Sequence, residues 1–113
     1  MTAVEIHKHK YEFGKIAELQ HQLAHEGYTI IPWHDRPGRY YGPHSHPHDE
    51  YIVVASGNIT FTIDQQEIKL EAGDALTLPA HIEHAALNDG AGTVNYFICT
   101  RTREGVCSHS SDS

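Results

Sequence analysis

In the segment from Ile59 to Ile63, Ile59, Phe61 and Ile63 alternate with Thr60 and Thr62, and further on Leu76 and Leu78 flank Thr77. A period of two marks a strand with one buried face and one solvated face. Short apolar segments of this kind recur from residue 28 onward, over 28–33, 39–41, 51–55, 59–63, 67–70, 75–78, 84–87 and 94–100. Turn-forming clusters stand between them, including Ser56-Gly57-Asn58, Asp64-Gln65-Gln66, Ala72-Gly73-Asp74 and Asn88-Asp89-Gly90. Many short strands with tight turns predict an antiparallel sandwich or barrel, not a buried parallel sheet.

The opening of the chain reads differently. Over residues 12–26, Phe13, Ile16, Leu19, Leu23 and Ala24 recur at helical spacing, and Gly27 supplies a stop signal. One amphipathic helix is predicted here. The preceding run Ile6-His7-Lys8-His9-Lys10 is expected to fray, and residues 104–113 are too polar to pack and are expected to be disordered. The predicted organisation is an N-terminal arm and helix over residues 1–27, one barrel over 28–103, and a tail over 104–113. A chain of 113 residues has material for a single core.

Eight Lys and Arg against fifteen Asp and Glu give a formal net charge of −7, with no basic stripe. That balance argues against nucleic acid and anionic membrane as partners, since both are held through excess cations. No apolar run is long enough to span a bilayer and no leader pattern opens the chain, so a cytoplasmic location is expected. The two cysteines, Cys99 and Cys107, are too few for a disulfide framework; Cys99, in an apolar run, reads as a buried structural thiol.

Histidine is the unusual residue, with eleven copies. His21 and His25 share a helix face and read as solvated, while His7 and His9 reflect composition. The segment Gly42-Pro43-His44-Ser45-His46-Pro47-His48-Asp49-Glu50 is different. On a strand, alternate residues share a face at roughly 7 Å, so His44 and His46 can converge on one ion and Glu50 has the same parity. One strand cannot surround an ion, and His84, opening a later apolar segment, is the best-placed fourth ligand. His48 also shares the parity and is an alternative ligand, although Pro47 favours a supporting or substrate-facing role. Tyr40, with the parity of His44, is expected to face the same cavity.

At this point the sequence resembles the cupin superfamily. Its first motif is Gly, five residues, His-x-His, three or four residues, Glu, six residues, Gly; here Gly38, His44, His46, Glu50 and Gly57 stand at those intervals. The second is Gly, five residues, Pro-x-Gly, two residues, His, three residues, Asn; here Gly73, Pro79, His84 and Asn88 match, and His81 replaces the inner glycine. Because a side chain disfavours unusual backbone angles, His81 is expected to sit in a turn of ordinary conformation and to add a polar group near the mouth. The resemblance implies an all-β, double-stranded β-helix or jelly-roll-like barrel with one short N-terminal helix. It also implies a metal site of His44, His46, Glu50 and His84.

Imidazole and carboxylate ligands suit Fe, Mn, Ni, Zn or Cu alike, so one divalent transition-metal ion is expected without a choice among them. The resemblance implies three candidate functions. The first is a metalloenzyme on a small oxygen-rich molecule, either a dioxygenase or an isomerase or ring-opening enzyme on a sugar-acid-like substrate. In the latter, His48, His81 or Tyr40 would move a proton. The second is a non-catalytic ligand-binding or sensing module, and the third a barrel with a structural ion. A homodimer is expected from the need to cover sheet edges, with Trp33 and Tyr41 in the 28–41 region as contributors.

Overall fold

The computed structural model describes residues 3–101, so the tail expected over 104–113 lies outside the described residues. The elements in chain order are β1 (Glu5–His7), α1 (Ile16–His25), β2 (Thr29–Asp35), β3 (Tyr40–His44), β4 (Glu50–Ser56), β5 (Asn58–Ile63), β6 (Gln66–Glu71), β7 (Ala75–Leu78), β8 (His84–Leu87) and β9 (Val94–Thr100). They form a five-stranded sheet in the order β1-β7-β4-β9-β2 and a four-stranded sheet in the order β3-β8-β5-β6. Every strand pair is antiparallel, as the alternation predicts.

The core between the sheets holds Ile52, Val54, Ile59, Phe61, Ile63, Leu70, Leu76, Leu78, Val94 and Tyr96. A second cluster, with Tyr11, Leu19, Leu23, Tyr51, Val53, Phe97 and Cys99, covers the other face of the five-stranded sheet. That is why Tyr51 to Ala55 are all buried: β4 faces the barrel interior on one side and the helix on the other. Cys99 is fully buried and free, and burial pushes its thiol up to about 12, far from a reactive thiolate.

The helix starts later than its periodicity suggests. Lys15 is extended and serves as N-cap, and the Glu18 carboxylate accepts the Gly14 N–H at 2.9 Å and the Lys15 N–H at 3.3 Å, so residues 12–15 stay outside the helix. Only Leu19 and Leu23 of its predicted face are buried. At the other end Gly27 adopts φ 97°; its N–H donates to Ala24 O at 3.0 Å and that of Tyr28 to Leu23 O at 3.2 Å, the paired bonds of a Schellman stop.

The opening residues do not fray. β1 pairs with β7, placing Glu5, Ile6 and His7 opposite Thr77, Leu76 and Ala75. Behind it the fully buried carboxylate of Asp74 pairs with Lys8 Nζ and accepts the His9 N–H at 2.8 Å. A buried charge requires such partners, and the N-terminal arm supplies them.

Two motif glycines have steric reasons. A Cβ on Gly57 (φ 81°) would lie 2.6 Å from Thr93 O and 2.8 Å from Val94 Cα, and one on Gly73 (φ 92°) would lie 2.6 Å from Tyr11 O. Backbone passes too close at both points for any side chain.

Candidate metal centre

In the pairing of β3 with β8, Tyr41 stands opposite Ala86 and His44 opposite His84. Three steps along β3 thus answer two along β8, and the extra residue is a bulge at Gly42-Pro43. Proline has no N–H to give a ladder, and a bulge is where a strand accommodates it. The bulge exchanges the faces of the strand: Tyr41 lines the cavity together with His44, whereas Tyr40 is 54% exposed and does not line it. The expectation that Tyr40 faces the cavity is corrected, because simple parity does not survive the inserted residue.

The cavity, about 170 Å³, is lined by His44, His46, Glu50 and His84, with Ile52, Phe61, Ala86, Ile98, Tyr96, Tyr41 and Trp33 making the rest of its wall. His44 and His84 come from the four-stranded sheet, Glu50 opens β4 of the five-stranded sheet, and His46 lies on the connection between them. Ligand atoms of His44, His46 and His84 lie within 4.8 Å of one another; so, as a second group, do those of His46, His48 and Glu50. The four expected ligands share one cavity, with His46 common to both groups. Glu50 Oε2 lies 3.9 Å from His46 Nε2 and 3.3 Å from His48 Nε2.

Two tautomers are fixed by backbone carbonyls, which only accept. His44 Nδ1 lies 2.6 Å from Gly42 O and His84 Nδ1 lies 2.9 Å from Ile82 O, so each Nδ1 carries the proton and each Nε2 offers a lone pair. This donor chemistry fits a divalent transition-metal ion held by nitrogen with a carboxylate beside it.

His84 is buried, and desolvation pushes its pKa below the ordinary histidine value; the Ile82 carbonyl opposes this, His44 and His46 add to it, and Glu50 opposes it. Between the lowered folded value and the ordinary 6.5, the unfolded chain binds more protons than the folded one. The stability this contributes is present above pH 6.5 and lost as pH falls through the folded value. Denaturant titrations of metal-free protein are therefore expected to show stability falling below that pH, and His84→Gln to flatten the fall. An identical pH profile in the variant would remove His84 as its source.

The loop carrying His46 is braced by the turn between β7 and β8. The His81 N–H donates to His46 O at 2.7 Å, and the Ala80 N–H donates to Asp49 Oδ1 at 2.8 Å. The ordinary conformation expected for His81 is corrected: its φ is 67°, in the left-handed region. The backbone must turn this way to aim the His81 N–H at His46, and histidine tolerates it at a cost of roughly 1–2 kcal/mol. His81→Gly is expected to raise stability by about 0.5–1 kcal/mol, part of the relieved strain being offset by glycine's greater unfolded-state freedom. A urea midpoint that rises at constant slope would bear this out; a fall would assign the imidazole contacts of its own. Its side chain is exposed and outside the cavity lining, as is that of His48.

The sequence reading missed the residues behind the wall. Tyr41 OH donates to Asp35 Oδ1 at 2.6 Å and Tyr96 OH to Asp35 Oδ2 at 2.6 Å, while Trp33 Nε1 donates to Tyr41 OH at 2.9 Å. Burial first, then the Asp35 carboxylate, drives the Tyr96 phenol upward and keeps it protonated. Asn88, also buried, donates to Asp35 O at 2.9 Å and Gly92 O at 3.0 Å, tying the connection between β8 and β9 to the end of β2. The Gly42-Pro43 pair was the available signal for Tyr41; nothing local marks Asp35.

Fold and site together define a two-sheet antiparallel barrel with a histidine-rich mouth. The family model described as "Cupin domain" matches residues 33–100, and the chain belongs to the cupin family, whose double-stranded β-helix this fold is. Among solved structures, the chain is similar to a conserved protein of unknown function from Streptococcus pyogenes (25% identity, 70% of this chain and 68% of that one, TM-score 0.59). It is similar in fold to KdgF from a Halomonas species (22% identity, 69% and 72%, TM-score 0.58). A chain from the structures of the DMSP lyases RdDddP and RnDddQII matches at 25% identity and TM-score 0.60, over 66% of this chain but only 38% of that one. No curated protein matches in sequence. Among the described residues no helix is long and apolar enough to cross a membrane.

Proposed function

We propose that His44, His46, Glu50 and His84 hold one divalent transition-metal ion, and that the chain is a metalloenzyme acting on a small oxygen-donor molecule in the adjoining cavity. The observation that carries this reading is the pair of fixed tautomers, which turns the Nε2 atoms of His44 and His84 into ligands at the mouth of a cavity. When bound, such an ion supplies Lewis-acid polarisation of an oxygen or a site for dioxygen. His48, beside Glu50, orients the carboxylate, and the brace through His81 and Ala80 holds His46 in place.

The dioxygenase reading is favoured because it requires no further proton-transfer group, and His48, His81 and Tyr40 all lie outside the lining. An isomerase or lyase reading has one observation in its favour: Tyr41 lines the cavity, its hydroxyl held in place by the buried Asp35, and so presents a phenol oxygen there. The chain's similarity to a DMSP lyase structure is compatible with that second reading. We also propose a homodimer. The edge strand β2 exposes Ile31 and Trp33, while Tyr41, expected as a contributor, is turned to the cavity instead.

The test is elemental analysis of protein purified without an affinity tag or added metal, with oxygen uptake measured on small diols, thiols and hydroxy acids. Stoichiometric iron with uptake supports the dioxygenase. Manganese, nickel, zinc or copper with turnover but no uptake moves the assignment to the isomerase or lyase. Metal with neither leaves a binding module, and no metal after reconstitution refutes the site.

A further inference from the structure

The strand register layers the cavity wall. At the mouth, His44 faces His84 across β3 and β8, with Glu50 at the start of β4. One step deeper, Tyr41, Ala86 and Phe61 stand in a row across β3, β8 and β5, and Ile52 pairs with Ile98 across β4 and β9. Beyond them Trp33 stands opposite Tyr96. Below the mouth, the wall's N–H and O–H donors are already spent. Trp33 Nε1 bonds Tyr41 OH at 2.9 Å, and the hydroxyls of Tyr41 and Tyr96 bond the two oxygens of Asp35, each at 2.6 Å. What remains is hydrocarbon and ring faces. Among the described residues no Lys or Arg belongs to the lining; Arg39 lies against the Tyr41 ring, 4.1 Å from its centroid, with Nη1 donating to Tyr40 O at 3.3 Å.

We infer that the cavity selects a compact ligand with an oxygen-donor head at the histidines and an apolar body against Ile52, Phe61, Ala86 and Ile98, and that it rejects polyhydroxylated sugars and sugar acids. The placement of the head rests on the metal reading; the apolar body does not. At about 170 Å³ the space is close to that of an engineered apolar cavity of about 150 Å³ that takes up benzene, so one ring is a fitting body. Each additional hydroxyl buried against this wall loses its water and finds no free donor, which weakens binding by roughly tenfold. In the metal-free protein a sugar acid would in addition bring a carboxylate to a pocket with no cationic side chain among the described residues, beside Glu50.

The chain's single tryptophan, Trp33, lines the cavity and reports occupancy through its emission. The probes are trans-cyclohexane-1,2-diol, myo-inositol and glucuronate, titrated into nickel-loaded and metal-free protein, with calorimetry as a second readout. The first two share one carbocycle and differ in hydroxyl number. The diol is expected to bind at least 100-fold more tightly than inositol in the loaded protein, and more weakly, with a preference over both inositol and glucuronate, in the metal-free protein. Ile98→Asn, which offers the wall a polar partner, is expected to narrow the diol-to-inositol ratio at least fivefold, while Ile98→Val preserves it. If the preference persists but nickel adds nothing to diol affinity, the apolar slot stands and the metal-bound head falls. If nickel tightens all three probes to equal affinities, the metal site stands and the slot falls. Absence of diol binding in both forms up to tens of millimolar overturns the inference.

Discussion

His84→Ala is expected to weaken metal binding at least roughly 100-fold, since loss even of groups that only support a ligand costs about 10–100-fold. His84 is buried and its tautomer is fixed by Ile82 O, so no neighbouring side chain replaces its Nε2. Metal binding to the folded state alone adds about 2.7 kcal/mol at a concentration 100 times Kd. A variant weakened 100-fold retains only about 0.4 kcal/mol of that at the same concentration. For a domain of this size the difference lowers Tm by roughly 10 °C. The truncation also leaves a void, so both proteins must be melted with chelator and with metal. The quantity to compare is the metal-induced shift, which the variant is expected to lose. His46→Ala, at a less buried position, is expected to do the same with a smaller loss in chelator. Retention of stoichiometric metal and of the full shift in both variants would exclude these residues as ligands.

The largest expected loss of stability is at Asp74, far from the cavity. Its fully buried carboxylate pairs with Lys8 and accepts the N–H groups of His9 at 2.8 Å and Glu71 at 2.9 Å. Asp74→Ala strands two backbone donors and removes the ion pair of Lys8, whose Nζ keeps Lys69 O at 3.1 Å, an expected cost of about 2–4 kcal/mol, read as a fall in the urea midpoint. Burial pushes the Asp74 pKa upward, but the bonds from Lys8, His9 and Glu71 outweigh it and the net direction is down from 3.8. The stability it contributes is therefore present above that pH and lost as pH falls through the lower folded value. Asp74→Asn is accordingly expected to show a shallower acid transition. A midpoint within about 0.5 kcal/mol of the parent in Asp74→Ala would show that the arm is held by β1 pairing alone.

Much of the barrel was legible because alternation such as Ile59-Thr60-Phe61-Thr62-Ile63 is a direct consequence of one buried face. That His44, His46, Glu50 and His84 share one cavity was legible for a similar reason: the first three are near one another in sequence, and motif spacing linked them to His84. What escaped depended on partners distant in sequence. β1 has a nondescript composition and is ordered by β7 and by the Asp74 carboxylate. Asp35 looks like an ordinary strand-end acid until Tyr41 and Tyr96 close on it. Tyr40 was taken for Tyr41 because a parity rule presumes an unbroken ladder, and Gly42-Pro43 breaks it. His81 keeps the left-handed backbone that the motif glycine signals, and the substitution alone gave no reason to expect the turn to change.

The brace between the two loops at the mouth also bears on how this chain can change length. His46 O and Asp49 Oδ1 each receive one amide, from His81 and Ala80, across a gap that neither loop can adjust alone. Adding a residue to 45–49 or to 79–83 would put donors and acceptors out of step and displace His46. The hairpin between β5 and β6 has no such tether among the described residues: Asp64 and Gln65 turn with φ of 52° and 65° at the end of a regular ladder. Insertions, tags or reporter peptides belong at that hairpin, while the two loops at the mouth can vary in sequence but only jointly in length.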